Sequence, residues 1–196
     1  MKLAIVIMAH PKRKEWAEEL AAKLDAPIVY DQKNNVWDTC RRAWLSQLES
    51  GAEYVLVLQD DTIIGDNFRE RAAELIERHE KAGDFIYSFY AGEMLATRID
   101  AAIRKGNDHI IAGAIFNEVA LCMKREHITR MVKWSDERNA QTDQEIGRWA
   151  RLARLTILYP IPSIVDHRTG ESLYRKHYNK PLPDKERKAY IYKPTV

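Results

Sequence analysis

Short unbroken apolar runs alternate, through the first half of the chain, with stretches whose apolar residues recur every three or four positions. Leu3–Met8 and Tyr54–Leu58 are apolar throughout and of strand length, the signature of strands buried on both faces. Pro27–Tyr30 and Phe85–Phe89 read as further short strands. Between them, Lys14–Leu24 sets Trp16, Leu20 and Leu24 on one helical face. Trp37–Ser50 turns Cys40, Trp44, Leu45 and Leu48 inward and stops at Gly51. Asp66 is placed to cap a third helix, Asn67–Ala82, which stops at Gly83. Strand and helix in this alternation predict an α/β domain: a parallel sheet with helices on both faces.

After Tyr90 the alternation breaks. Met94–Lys105 has helical character, Ile110–Phe116 is apolar and rich in small residues, and Asn117–Met123 continues as a strand into Lys124-Arg125-Glu126-His127. A helix is expected over Thr142–Leu155 and a short strand over Thr156–Tyr159. The prolines of Pro160-Ile161-Pro162-Ser163-Ile164-Val165-Asp166-His167 require an extended path. Residues 1–172 therefore read as one domain and 173–196 as a basic, Tyr-rich tail, either wrapping the surface or partly disordered.

The length of 196 residues supports one ordinary core, and 45% hydrophobic with 31% charged residues is a globular balance rather than a disordered one. A net charge of +2 supplies no polyanion-binding field of its own. Two cysteines, Cys40 and Cys122, stand far apart in no metal spacing, which suits buried thiols and a reduced, cytoplasmic setting. No apolar run is long enough to span a bilayer, and the N-terminal run lacks a cleavage-site pattern.

Ligands of open parallel sheets bind beyond the carboxyl ends of the strands. Three such ends are polar here: His10-Pro11-Lys12-Arg13, Asp31 and Gln59-Asp60-Asp61. Adjacent carboxylates repel and need compensation, which a hard divalent cation bridged to a phosphate provides. The bland alternative for Asp60-Asp61 is a solvated turn or a helix cap. A receiver domain needs acids after its first strand, where this chain has His10 and basic residues. A dehalogenase-type acid motif, a G-x-G-x-x-G turn and a Walker A loop are likewise missing there. Downstream, Thr142-Asp143-Gln144-Glu145 places acids at the start of a helix, where they either stabilise the helix dipole or act as a general base.

Leu58-Gln59-Asp60-Asp61, the acid-headed helix and Pro162-Ser163-Ile164-Val165-Asp166-His167 occur in an order that resembles the GT-A glycosyltransferases. The closest likeness is to the lipooligosaccharide/collagen galactosyltransferase type, with its "LEDD" and "PSLVxH" elements. The resemblance covers Met1 to Leu173, with Gln59 standing where that family has Glu and Thr142 where its second acid is usual. It implies a GT-A, Rossmann-like, mixed and mainly parallel sheet. It further implies Mn²⁺ or Mg²⁺ held by Asp61 and His167, and a nucleotide-sugar donor, a UDP-sugar first. Asp60 and Gln59 would lie near the ribose or the metal's water shell, and Asp31 would accept from a nucleobase N–H. Pro11 and Arg13 would border base and phosphates, with Arg41 or Arg42 adding positive charge. Asp143 is the expected general base, with Glu145 in reserve, for an inverting hexosyl or pentosyl transfer. Met123-Lys124-Arg125 would shape the acceptor side.

The acceptor is left open among a saccharide, a protein and a hydroxymethylated DNA base of the phage type. The stretch from Arg168 onward carries eight Lys/Arg against three acids, with Tyr174, Tyr178, Tyr190 and Tyr192 interleaved, a composition that can grip a nucleic acid. Two other classes stay in view: a nucleic-acid-binding α/β domain with a degenerate site, and a flavodoxin-like phosphotransfer domain phosphorylated at Asp60 or Asp61.

Overall fold

The structure, a computed structural model, describes residues 2–138, 144–170 and 188–195. Its strands are β1 (Leu3–Ala9), β2 (Ile28–Tyr30), β3 (Tyr54–Gln59), β4 (Thr62–Ile64), β5 (Phe85–Ser88), β6 (His109–Ala112), β7 (Ala120–Lys124), β8 (Thr156–Pro160) and β9 (Val165–His167). Its helices are α1 (Lys14–Leu24), α2 (Val36–Ser46), α3 (Phe68–His79), α4 (Ala96–Arg104), α5 (Arg125–Asp136) and α6 (Gln144–Leu152).

Seven strands form one sheet in the order β2-β1-β3-β7-β5-β8-β6, and β4 and β9 form a separate two-stranded ribbon. β2, β1 and β3 run parallel, β7 runs against both β3 and β5, and β8 follows β5 while β6 opposes it. Five of the seven strands therefore share one direction. This is the mixed, mainly parallel, Rossmann-like architecture expected of the chain.

The period-2 geometry of a strand explains the two cores. Val6, Met8, Val55, Val57 and Ile86 point to one face, where Trp37, Cys40 and Trp44 of α2, Ile99 of α4, Ile128 and Met131 of α5, and Trp149 of α6 cover them. Ile5, Ile7, Leu56, Leu58 and Tyr87 point to the other, under Leu20 and Leu24 of α1 and Phe68, Ala72 and Ile76 of α3. Cys40 and Cys122 are both buried and outside any disulfide, as expected.

Several local expectations change. Asp66 does not cap α3: the chain enters through Asn67 at φ 53° with no side-chain cap bond, a left-handed turn that Asn tolerates. The helix α5 is an addition to the expected elements, although Ile128, Met131, Val132 and Ser135 are buried at helical spacing. Lys124 pairs in register with Tyr54, at the start of β3. Met123-Lys124-Arg125 thus lies at the end of the sheet opposite Asp60-Asp61 and cannot shape a site there.

Residues 188–195 return to the domain. Tyr190 N–H donates to Ala91 C=O at 2.8 Å, Ser163 N–H to Ile191 C=O at 2.9 Å and Lys193 N–H to Ser163 C=O at 3.2 Å. Arg71 donates to the carbonyls of Lys193 and Pro194, both at 2.8 Å. Gly65 is required there, because a Cβ would lie 1.6 Å from the Pro194 oxygen. Residues 173–187 lie outside the described residues. Among the described residues, no helix is long and apolar enough to cross a membrane.

Candidate active site at the ends of β1 and β3

Parallel pairing of β2, β1 and β3 brings their carboxyl ends side by side, with Ala9 opposite Tyr30 and Met8 opposite Gln59. The polar residues that follow each strand therefore gather at one rim, as the topology demands. Asp60 and Asp61 are only 5% and 4% exposed, so neither is a solvated turn residue. The His10 N–H donates to Asp60 Oδ2 at 2.8 Å, tying the loop after β1 to the end of β3. Arg13 Nη1 donates to Asp60 Oδ1 at 2.9 Å and also to Asp61 Oδ2, so one guanidinium bridges both carboxylates.

The other side of the site is built by the β4–β9 ribbon. Thr62 pairs with His167, which sets the imidazole beside the residue preceding Thr62. His167 Nε2 lies 3.1 Å from Asp61 Oδ2. The Arg168 N–H donates to the Asp61 C=O at 2.7 Å and closes the turn. Thr62 Oγ1 donates to the carbonyls of Gln59 and Val119, at 2.7 and 3.1 Å, and so fixes where the Asp pair leaves β3. The returning C-terminal segment holds β9 from outside. Lys188 Nζ donates to His167 C=O at 3.2 Å, and the Ala189 N–H to Asp166 Oδ1 at 2.7 Å.

The electrostatics split the pair. Burial and the neighbouring Asp61 charge push Asp60 above its ordinary range, against the His10 N–H and Arg13. Burial acts the same way on Asp61, but His167 and Arg13 outweigh it and hold this carboxyl below its ordinary range. Burial opposes the charge of Arg13, and the two carboxylates more than restore it. Two buried side-chain atoms of the cluster have no hydrogen-bond partner among the described residues: Asp61 Oδ1 and His167 Nδ1.

Asp31 is buried one strand over. Its Oδ1 accepts from the Lys33 and Asn35 N–H groups at 3.0 and 3.3 Å, while Oδ2 is buried without a partner among the described residues. Pro11 opens the short helical turn Pro11–Arg13 that carries Arg13 inward. Gln59, the last residue of β3, donates its N–H to Val119 C=O at 3.0 Å. The flanking Trp16 ring has the Arg13 guanidinium 5.3 Å and the Arg168 guanidinium 5.5 Å from its centroid.

Three predicted residues are engaged with other partners. Arg41 is engaged with Asp136 on α5, its Nε 2.8 Å from Oδ2, and Arg42 with Asp38 and the Tyr30 carbonyl. Their charge is spent in bracing α2. Glu145 pairs with Arg148 on α6 and lines an open cleft of 390 Å³ with Trp134, Arg138, Arg151 and Leu152. Asp143 lies outside the described residues. The residue whose role sequence reasoning missed is Arg13 as a carboxylate bridge. A basic residue shortly after the first strand, in a chain with two acids after the third, was the available signal.

No protein-family model matches the chain, and no curated protein matches it. Among solved structures it is similar to A197 from STIV, with 13% identity, 85% of this chain and 86% of that chain covered, and a TM-score of 0.53. Weaker likenesses are to a glycosyltransferase involved in the glycosylation of the major capsid of PBCV-1, at 12% identity over 89% of this chain and 100% of that one, TM-score 0.49. They extend to the mannose-1-phosphate geranyltransferase of Thermus thermophilus, at 13% identity over 82% and 74%, TM-score 0.44. At these identities the likeness concerns the fold.

Proposed function

We propose that this protein is a metal-dependent glycosyltransferase of the GT-A type, moving a sugar from a nucleotide-sugar donor to an acceptor hydroxyl with inversion. One observation carries the reading. The β4–β9 ribbon brings His167 Nε2 to 3.1 Å from Asp61 Oδ2, and Asp61 Oδ1 stays buried without a partner among the described residues. A carboxylate with a spare oxygen set beside an imidazole suits Mn²⁺, with Mg²⁺ second.

Asp61 and His167 are the residues that would hold the ion. Bound there, it would neutralise charge building on the departing diphosphate. The chain's own groups do the rest. Asp60 anchors the loop after β1 through the His10 N–H and holds Arg13, whose guanidinium is the counter-ion shared by the two acids. Asp31 Oδ2 is the acceptor for a nucleobase N–H, which favours a UDP-sugar, and Pro11 and Gln59 border the nucleotide. Asp143 takes the proton of the acceptor hydroxyl as its oxygen bonds the anomeric carbon and the bond to the diphosphate breaks. Glu145 is the reserve.

A saccharide hydroxyl is the acceptor we favour, ahead of a protein or a hydroxymethylated DNA base. The DNA reading drew on the basic, Tyr-rich tail, but part of that tail serves the fold: Lys188 reaches His167 C=O and Tyr190 Oη donates to Asp100. A phosphotransfer role suits the site less, since both Asp carboxylates are buried and bridged by Arg13.

The test is thermal stability with nucleoside diphosphates and nucleotide sugars, with and without Mn²⁺. Binding to the native state alone raises stability by about 2.7 kcal/mol at a hundred times Kd. UDP is expected to stabilise the protein only with Mn²⁺, and Asp61→Ala to lose that increment. An Asp61→Ala protein that gains as much as wild type would sink the proposal.

A further inference from the structure

A second group of ligating side chains lies at the far edge of the sheet. β6 is the outermost strand, four places from β3 in the sheet order, or roughly 19 Å at ordinary strand spacing. Its first residue is His109, preceded by Asp108. The last residue of α3, His79, packs against them, with the two imidazole centroids 4.5 Å apart and their planes tilted by 59°. His109 Nδ1 is 2.8 Å from Asp108 Oδ1, and His79 Nε2 is 3.9 Å from Asp108 Oδ2. One potential ligand atom from each of the three residues lies within 4.8 Å of the other two.

His79 is the informative member. It is 8% exposed, and its Nε2 is buried with no hydrogen-bond partner among the described residues while facing the Asp108 carboxylate. A buried ring nitrogen left bare is costly, so such atoms normally find a partner.

We propose that His79, Asp108 and His109 form a second, transition-metal site, selective for Zn²⁺ and related borderline ions over Mg²⁺ and Ca²⁺. Two imidazoles and one carboxylate are a nitrogen-rich set of the kind Zn²⁺ takes, and a fourth position stays open to water. Arg78 Nη1 bonds Asp108 Oδ2 at 2.8 Å and would serve as the outer partner that orients the carboxylate. The ion would staple the end of α3 to the edge strand. It is separate from the Asp61–His167 pair, shares no residue with it and does not depend on the glycosyltransferase reading.

The test is two-dimensional ¹H–¹⁵N NMR of histidine side chains in the whole protein, titrated with Zn²⁺ alone. The His79 and His109 ring nitrogens are expected to shift together and saturate at one equivalent in an Asp61→Ala background, where the other site is disabled. Asp108→Ala should weaken that binding at least tenfold, and His109→Ala should leave the His79 signal unmoved by Zn²⁺. His109 is only part-buried at a strand start, so its variant is expected to fold, and the unshifted remainder of the spectrum reports that directly. Mg²⁺ should move neither ring. A His79 signal that ignores Zn²⁺ in the Asp61→Ala protein, or that still shifts fully in His109→Ala, overturns the proposal.

Discussion

Replacing Arg13 with Met keeps an unbranched apolar stem and removes the cation that bridges Asp60 and Asp61. The Arg13 side chain is 14% exposed, and the carboxylates 7% and 6%, so solvent does little to screen this cluster. Two charge-assisted bonds are lost, each contributing about 1.5–3 kcal/mol. Removing the guanidinium's own desolvation offsets part of that. Breaking one partner out of a buried ionic group costs about 3–5 kcal/mol, and the low end fits here because His167 and the His10 N–H remain. With a urea slope of about 2 kcal/mol per molar, a loss of ~3 kcal/mol moves the midpoint down by ~1.5 M.

The deficit should depend on pH. Asp60 already sits above its ordinary range through burial and Asp61, and loss of Arg13 raises it further. A carboxyl raised in the folded state stabilises the fold below its unfolded pKa, about 3.9, and loses that contribution as pH rises through the folded value. Relative to wild type, the Met variant should lose up to about 1.4 kcal/mol per pH unit only between the wild-type and the variant folded values of Asp60. Urea melts across a pH series measure this directly. Mn²⁺ should restore more stability to Arg13→Met than to wild type, because the bare acids gain a cation they lack. A midpoint equal to wild type, or a deficit flat with pH, refutes the bridge; a Met variant indifferent to Mn²⁺ refutes the metal reading.

Asp143→Asn should lower turnover by about a hundredfold or more, the scale of a general base, with Mn²⁺–UDP stabilisation unchanged. Collapse in Glu145→Gln instead would move the role to Glu145. Asp61, held below its ordinary range, contributes stability that is present above the unfolded carboxylate pKa and lost as pH falls through the folded value. Wild type should therefore lose that contribution on acidification while His167→Gln, lacking the partner, loses less; acid urea melts decide it. Ending the chain before Lys188 removes the backbone bonds to Ala91 and Ser163 and the Arg71 contacts, and should cost about 5 kcal/mol at about 1 kcal/mol net per bond. It should also weaken Mn²⁺–UDP binding, because that segment holds the backbone at His167. A truncated protein as stable as wild type would show that the docking contributes nothing.

Much of the architecture follows from local pattern. Apolar runs such as Leu3–Met8 and Tyr54–Leu58 have one stable solution, a strand covered on both faces, and the amphipathic stretches between them supply the cover. Strand ends that point the same way put Asp31, His10 and Asp60 on one rim. Tertiary structure decided the rest, because it depends on contacts distant in the chain. That His167 reaches Asp61 follows from the pairing of two three-residue strands, too short to signal themselves. Arg13 reads as a phosphate ligand until burial of two acids makes it their counter-ion. Arg41 looks equally available until α5 places Asp136 against it. The His79–Asp108–His109 group joins a helix end to an edge strand, and its unpartnered nitrogen exists only once the helix is packed. Charge and hydrogen-bonding capacity are written in the residues; which of them remain unsatisfied is a property of the folded packing.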